Sequence, residues 1–537
     1  MIKETYIKTG KAEFDEFIPS VKYFFDVNTV DVYIDAKKIR AFIDPDAPSF
    51  WIRTIADHLR ASRYFEAEIK NMVEHFAETQ ADNGRIFDYF TVFPEKLPCE
   101  KENWVKYVRV PVEADVEFRF IKAIYLVWQA TGDDEWVRQL LPKMEKALNY
   151  ILTNPWRWDK KLKLVKRAYT IDTWDFAYTA GKHNWLQFQI DENTFWGIMH
   201  GDNSGYYEAF MIMTSFYELF KNRKKSEEWK KRAIALKRRM NKICWNGRFY
   251  THFVKITPVV IDGVDESQQL SLSNPMDINR GVATHKMAVS IIKEYLERRK
   301  RTEAFAEWFS IDPPFPDGIF GDERIIRGAY CNGGIMPLVG GELAKAAFDH
   351  GFEKYGVDIL KRYYNLALKI RKTYLWYFPD GTPLSQEKMT SPMESSTDIW
   401  GSSAMFYALM DGLAGIEDKF KLFQKVKLSP RWLSAEVDNA VVSAFYKASG
   451  KGIYYDFKFD GEKITLEIAT GEDKHSTINT NVLLPEDAKA SKVIFNGREI
   501  DFKNIKIEKS NYATFSIAVR DSGKAIIFLK KDKRFSK

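Results

Sequence analysis

Near residue 415 the spacing of apolar residues changes period, and that change constrains this chain more than any other feature. Before it, apolar residues recur every three to four positions over long stretches, as in helices with one buried face. Tyr207, Phe210, Met211, Met213 and Tyr217 form such a stripe within 204–221. After it, "GIYYDFKFDGEKITLEIATG" (452–471) alternates with period two around Asp460-Gly461, which predicts a β-hairpin. "KVIFNGREI" (492–500) repeats the logic around Asn496-Gly497, and "KAIIFLKK" (524–531) reads as a last strand.

The helical stretches come in pairs: 50–62 with 64–80, 112–131 with 133–152, 204–221 with 226–243, 281–297 with 300–309, and 333–350 with 354–373. A sixth, 396–414, has no partner that the pattern places. "DPDAP" (44–48) breaks the chain ahead of the first pair, where Ser49 is the expected helix cap. No fixed-length repeat recurs and the links vary widely, which argues against a solenoid. The expected fold is therefore mainly α. It is an (α/α)6 toroid of helical hairpins over 49–415, after an N-terminal extension (1–48) and before a C-terminal β-sandwich (416–537). Long links on such a ring gather at one end and build a site.

At 537 residues the chain exceeds one ordinary core, in keeping with more than one domain. Its net charge of +7 is the small difference between 81 basic and 74 acidic residues. The most basic run, "KNRKKSEEWKKRAIALKRR" (221–239), has helical period with acids among the bases, so it reads as a solvated helix face and not as a nucleic-acid reader. No run of about 20 apolar residues predicts a membrane span. The first residues lack the apolar stretch of a secretory signal. Cys99, Cys244 and Cys331 are too far apart for a disulfide framework or a CxxC metal site. Isolated histidines, including His475, predict no catalytic metal. The expectation is a cytoplasmic protein without cofactor, metal, nucleic-acid or membrane partner, and its abundant Lys, Glu and Ile hint at a thermophilic source.

The chemistry collects in the long links. "RAYTIDTWDFAYT" (167–179) sets Asp172 and Asp175 among Trp174, Phe176 and Tyr178. "MHGDNSGYYEA" (199–209) adds Asp202, Tyr206 and Tyr207. "VDESQQLSLSNPMDINRG" (264–281) adds Glu266, and "GDERIIRGAYCNGGIMP" (321–337) adds Glu323, Asn332 and a Gly333-Gly334 turn. "PMESSTDIWG" (392–401) adds Glu394 and Trp400, and "FWIRTIADHLR" (50–60) adds Trp51, Arg53 and Asp57. Carboxylates and amides beside aromatic rings suit sugars, whose hydroxyls need polar partners and whose C–H faces stack on rings. Cleaving a glycosidic bond takes two carboxyl groups, one to protonate the leaving oxygen and one to attack or to activate water. The proton donor needs a raised pKa, which an apolar wall such as the one around Asp175 provides. On residues alone Asp172 and Asp202 compete with Asp175 as the acid, and Glu323 and Glu266 compete with Glu394 as the base.

These segments resemble those of the six-hairpin glycosidases: trehalases, α-L-rhamnosidases, processing α-glucosidases and α-mannosidases. "DTWDFAYT" is similar to the trehalase-type segment whose "WDF" Asp is the general acid, which implies that role for Asp175. "PMESSTDIWG" is similar to the later segment that supplies the general base, which implies Glu394. "FWIRTIADHLRA" resembles the first-helix sugar-holding signature, which implies contacts from Trp51 and Arg53. Thr54 stands where some relatives have Asp, and Asp57 is the substitute in reach. "AYCNGGIMP" resembles an Asn-Gly-Gly stretch that opens a helix in several of these families. The resemblance spans about 45–415 and implies an inverting hydrolase that removes terminal sugars from oligosaccharides or small glycosides through α-glycosidic bonds. Asp172, Trp174, Asp202, Glu323, Asn332 and Trp400 are the remaining expected substrate contacts. Two alternatives stay open: an inverting phosphorylase of similar fold, and a non-catalytic carbohydrate-binding or assembly protein.

Overall fold

The structure, a computed structural model, describes residues 3–34, 36–43, 49–91, 107–383 and 396–531. Its helices, in chain order, are α1 (Ala12–Asp15), α2 (Phe17–Asn28), α3 (Ile52–Ser62), α4 (Asn71–Glu78), α5 (Val116–Thr131), α6 (Asp134–Thr153) and α7 (His200–Leu219). They continue as α8 (Arg223–Ile243), α9 (Ser273–Asn279), α10 (His285–Arg301), α11 (Pro337–Asp349), α12 (Glu353–Leu366) and α13 (Ile399–Tyr407). Side chains set several of the boundaries. Asp133 opens α6 by accepting from the Trp136 N–H at 3.0 Å, and Asp398 opens α13 by accepting from the N–H groups of Trp400 and Gly401. Gly132, in the left-handed region at φ +72°, ends α5.

Helices α3, α5, α7, α9, α11 and α13 touch one another in succession, and α13 returns to α3. They are buried on nearly every side. At Gly341 of α11 an added Cβ would lie 2.3 Å from the Ala404 carbonyl carbon of α13, so glycine lets the two backbones meet. Of the other helices, α2, α6, α8 and α12 pack on α13, α5, α7 and α11 respectively, and α10 packs on both α9 and α11. In α8 only Ser226, Trp229, Ala233, Leu236 and Met240 are buried, so the basic run 221–239 is indeed a solvated helix face.

The expected fold class needs correction. The protein is not mainly α: helices make up 38% of it, and the β part is one curled sheet of ten strands rather than two stacked sheets. The reason lies in two very long strands, Lys463–Leu483 and Ser510–Lys531. Their pairing shifts register on both sides of Gly471, which sits at φ +79°. The first half of Lys463–Leu483 pairs antiparallel with Lys451–Phe459, and its second half pairs parallel with Lys425–Leu428. Irregularities of this kind let a strand turn a corner while its ladder continues, so both walls stay in one hydrogen-bonded sheet. In the sequence, "GEDK" (471–474) looks like a break between two strands.

The expected set of sequential hairpins also needs correction. The partner of α13 is α2, from the other end of the chain. Phe14, Phe17, Ile18, Val21, Phe24 and Phe25 are the buried stripe that marks this region as helical. Tyr6–Lys8 joins the large sheet by pairing with Asn439–Tyr446. Residues 303–309 are not helical. There the Phe305 N–H donates to the Pro379 carbonyl and Phe309 bridges Ile335. Ser49 begins a short strand, and Trp51 takes the position before α3.

Candidate active site

Residues 167–179 are tightly held before they reach a cleft. Asp172 is buried and accepts from Ser273 through its N–H (3.0 Å) and its Oγ (2.9 Å). The Asp172 N–H donates to His252 Nε2 at 3.1 Å. Burial lowers the His252 pKa to about 4, so its ring is neutral at pH 7 and Nε2 is able to accept. Thr173 adopts φ +59°, a strained conformation for a β-branched residue that costs about 1–3 kcal/mol. Its N–H donates to Met199 Sδ, and Arg167 donates to the Trp174 carbonyl oxygen at 2.5 Å. The turn so fixed brings Trp174 and Asp175 side by side into the cleft.

The rest of the cleft comes from distant parts of the chain. Trp51, Arg53 and Thr54 arrive at the start of α3, Tyr330 and Leu375 from loops, and Trp400 from the first turn of α13. The rings brace one another: Trp51 packs on Tyr89 with centroids 4.3 Å apart, and Trp174 meets Tyr330 edge-on at 5.1 Å. Trp400 Nε1–H donates to Asp57 Oδ2 at 2.8 Å. Among the described residues lining the cleft, Asp175 is the only acid.

Behind this wall lies a buried charge network. Arg53 pairs with Glu113 and with Asp115 (3.1 Å). Arg119 reaches Asp57 (2.8 Å) and Asp115 (3.6 Å), and Arg167 reaches Asp202 (3.2 Å) and Glu113 (3.6 Å). Arg109 lies 3.6 Å from both Asp88 and Glu117. Arg60 joins the group at Asp57 (3.3 Å) and links it to Glu342. Burial pushes Asp88 up to about 7 and Asp202 up to about 6, although Arg109 and Arg167 respectively oppose the rise. Burial also works against Asp57 and Asp115, but arginines outweigh it and hold both near 2: Arg119 and Arg60 at the first, Arg53 and Arg119 at the second.

A pH dependence follows from Asp88. Its folded pKa is raised, so between about pH 4 and 7 the folded chain keeps a proton that the unfolded chain has lost. Stability from this group accordingly falls as pH rises through that window, by on the order of 4 kcal/mol. Asp88→Asn keeps the shape without the charge and should flatten the fall between pH 4 and 8 in denaturant titrations. The parent's slope persisting in the variant would contradict the assignment.

The structure brings Trp51, Arg53, Trp174, Asp175 and Trp400 into one cleft. It places the other expected contacts elsewhere. Asp172 and Asp202 are buried in the supports just described. The side-chain amide of Asn332 is spent on the Phe315 backbone, accepting from its N–H at 2.7 Å and donating to its carbonyl at 3.1 Å. Glu323 is exposed on its loop, and Glu266 is held by Tyr169 and Lys255. Asp57 turns to Trp400 and Arg119. Tyr206 is buried with its hydroxyl on the Ala114 carbonyl. Glu394 lies outside the described residues, as does Cys99. Sequence reasoning missed Tyr330, Leu375 and the network acids Asp88, Glu113, Asp115 and Glu117. Alternating acids in "VEADVE" (112–117), between Arg109 and Arg119, were an available signal for the network. Leu375 carries no signal of its own.

No protein-family profile matches the sequence, and neither does any curated protein. Solved structures do match. An α-L-rhamnosidase from Dictyoglumus thermophilum matches with a TM-score of 0.62 at 10% identity, over 98% of this chain and 51% of that one. The Streptomyces avermitilis α-L-rhamnosidase complexed with L-rhamnose matches with 0.59 at 10%, over 98% and 42%. The mannosylglycerate hydrolase from Thermus thermophilus in complex with glucose matches with 0.52 at 11%, over 73% and 100%. This chain spans about half the length of the rhamnosidases, and the likeness is one of fold. Among the described residues no helix is long and apolar enough to cross a membrane.

Proposed function

We propose that this chain is a glycoside hydrolase that removes terminal sugars from oligosaccharides or small glycosides in the aromatic cleft. Asp175 is the general acid, and Glu394 is assigned as base from the sequence pattern. The observation that carries the reading is the setting of Asp175: a single acid among the described lining residues, on a strained and braced turn, faced by Trp51, Trp174 and Trp400. Aromatic faces suit the C–H surfaces of a sugar ring. A carboxyl among them is placed to deliver a proton to the glycosidic oxygen as the bond opens. The base deprotonates a water on the opposite face of the sugar, and the anomeric configuration inverts at an α-glycosidic bond. The likeness to rhamnosidases adds support and makes α-L-rhamnosides the first substrates to try.

A panel of 4-nitrophenyl glycosides of both anomers, with and without inorganic phosphate, tests this reading. Release of nitrophenol without phosphate is expected, and proton NMR should show the inverted sugar first. A requirement for phosphate would contradict hydrolysis, and a first product of retained configuration would contradict inversion.

A further inference from the structure

Among the described residues only two tryptophans are exposed, Trp156 (44%) and Trp185 (57%), and both lie on the link between α6 and α7 that also carries Asp175. Their surroundings differ. Trp156 stacks on Trp196 at 5.4 Å and 29°, so one of its faces is covered by the protein itself. Among the described aromatic side chains the Trp185 ring meets His183, tilted at 47° with centroids 4.9 Å apart.

The Trp185 backbone is nevertheless firmly seated. Gly321, at φ +86°, lies so close beneath it that an added Cβ would sit 2.6 Å from the Trp185 carbonyl oxygen and 2.9 Å from that of His183. Ala177 donates to the Gln187 carbonyl at 2.7 Å, so the chain leaving Asp175 pairs with the chain that follows Trp185. Ala177 lies two positions after Asp175, and Gln187 two positions after Trp185. With one cross-strand step between them, the two Cα atoms lie within about 20 Å of each other. An oligosaccharide of a few units spans that distance.

An exposed indole held in place by its backbone leaves apolar surface in water, and a sugar's C–H face is the complementary cover. The ordering cost of such a platform is largely met in the free protein. We propose that Trp185, flanked by His183, is an outer saccharide-binding platform that receives the part of the substrate beyond the scissile bond. This rests on the hydrolase reading for its catalytic consequence, although not for binding itself.

Two measurements on the full chain test it. The first compares kcat/KM of Trp185→Ala on the 4-nitrophenyl monoglycoside the enzyme accepts and on a trisaccharide of the same sugar and linkage. The loss on the trisaccharide should exceed the loss on the monoglycoside about tenfold and should appear in KM. Trp156→Ala, the control, should shift both substrates alike. Equal losses for the two substrates in Trp185→Ala would overturn the proposal. The second follows intrinsic fluorescence during titration with cellotriose, maltotriose, mannotriose and xylotriose. A saturable change with at least one of them, absent in Trp185→Ala, supports the platform, and no change with any of them overturns it. Because the second measurement needs no turnover, it decides the matter even if no glycoside is cleaved and the hydrolase reading falls.

Discussion

Asp175→Asn is expected to lower kcat by about 10²–10⁴ while the unfolding midpoint stays close to that of the parent. The change swaps one carboxyl oxygen for an amide and preserves size, so the cleft walls at Trp51, Trp174 and Trp400 should keep their places. The turn is held from Asp172, Arg167 and Met199, which the substitution leaves in place. Stability and turnover are thus expected to separate. Paired measurements of thermal midpoint and steady-state rate check this. On a glycoside whose leaving group needs protonation, a variant with turnover within a few-fold of the parent would move the acid role to another carboxyl.

Arg167→Ala should do the reverse and damage both. Arg167 is fully buried, pairs with Asp202 and Glu113, and donates to the Trp174 carbonyl that precedes Asp175. Removing it leaves two buried carboxyls short of a partner, a defect typically worth about 3–5 kcal/mol. It also frees one side of the strained turn at Thr173, so the acid loses its fixed position. Arg167→Lys restores the charge without the fork that spans carboxylate and carbonyl, and should recover part of the stability but less of the rate. Denaturant unfolding with parallel kinetics is the check. A loss of under about 1 kcal/mol in the alanine variant would mean that the network tolerates the gap by taking up protons.

Much of the helical part was legible in the sequence because α5 to α8 are long and amphipathic, with caps such as Asp133 and a stop such as Gly132. The stripe of α2 was equally readable, but it stands far in the sequence from its partner α13, and only the fold brings the two together. The reverse error arose at 300–309, where helical spacing competes with backbone bonds to Pro379 and Ile335 that no local pattern reveals. The curled sheet was misread because period two reports alternation, not whether a strand continues past a bulge such as that at Gly471. At the site, Trp51, Arg53, Trp174, Asp175 and Trp400 stood out because aromatics and charges cluster at helix starts and in long links. Asp202, Asn332 and Glu323 stood out for the same reason. Composition cannot tell a cleft-lining side chain from one that braces the loop beneath it, as Asn332 does for Phe315.

The central claim is that Asp175 donates a proton to the leaving group, and leaving-group dependence tests it most directly. The rate of Asp175→Asn relative to the parent should be measured on a dinitrophenyl glycoside and on an alkyl glycoside of the same sugar. Dinitrophenolate departs without protonation, whereas an alkoxide does not, so only the second substrate needs the acid. The account predicts near-parental turnover of the dinitrophenyl glycoside and a loss of about 10²–10⁴ on the alkyl glycoside. Equal losses on both would contradict it and leave Asp175 as a binding residue.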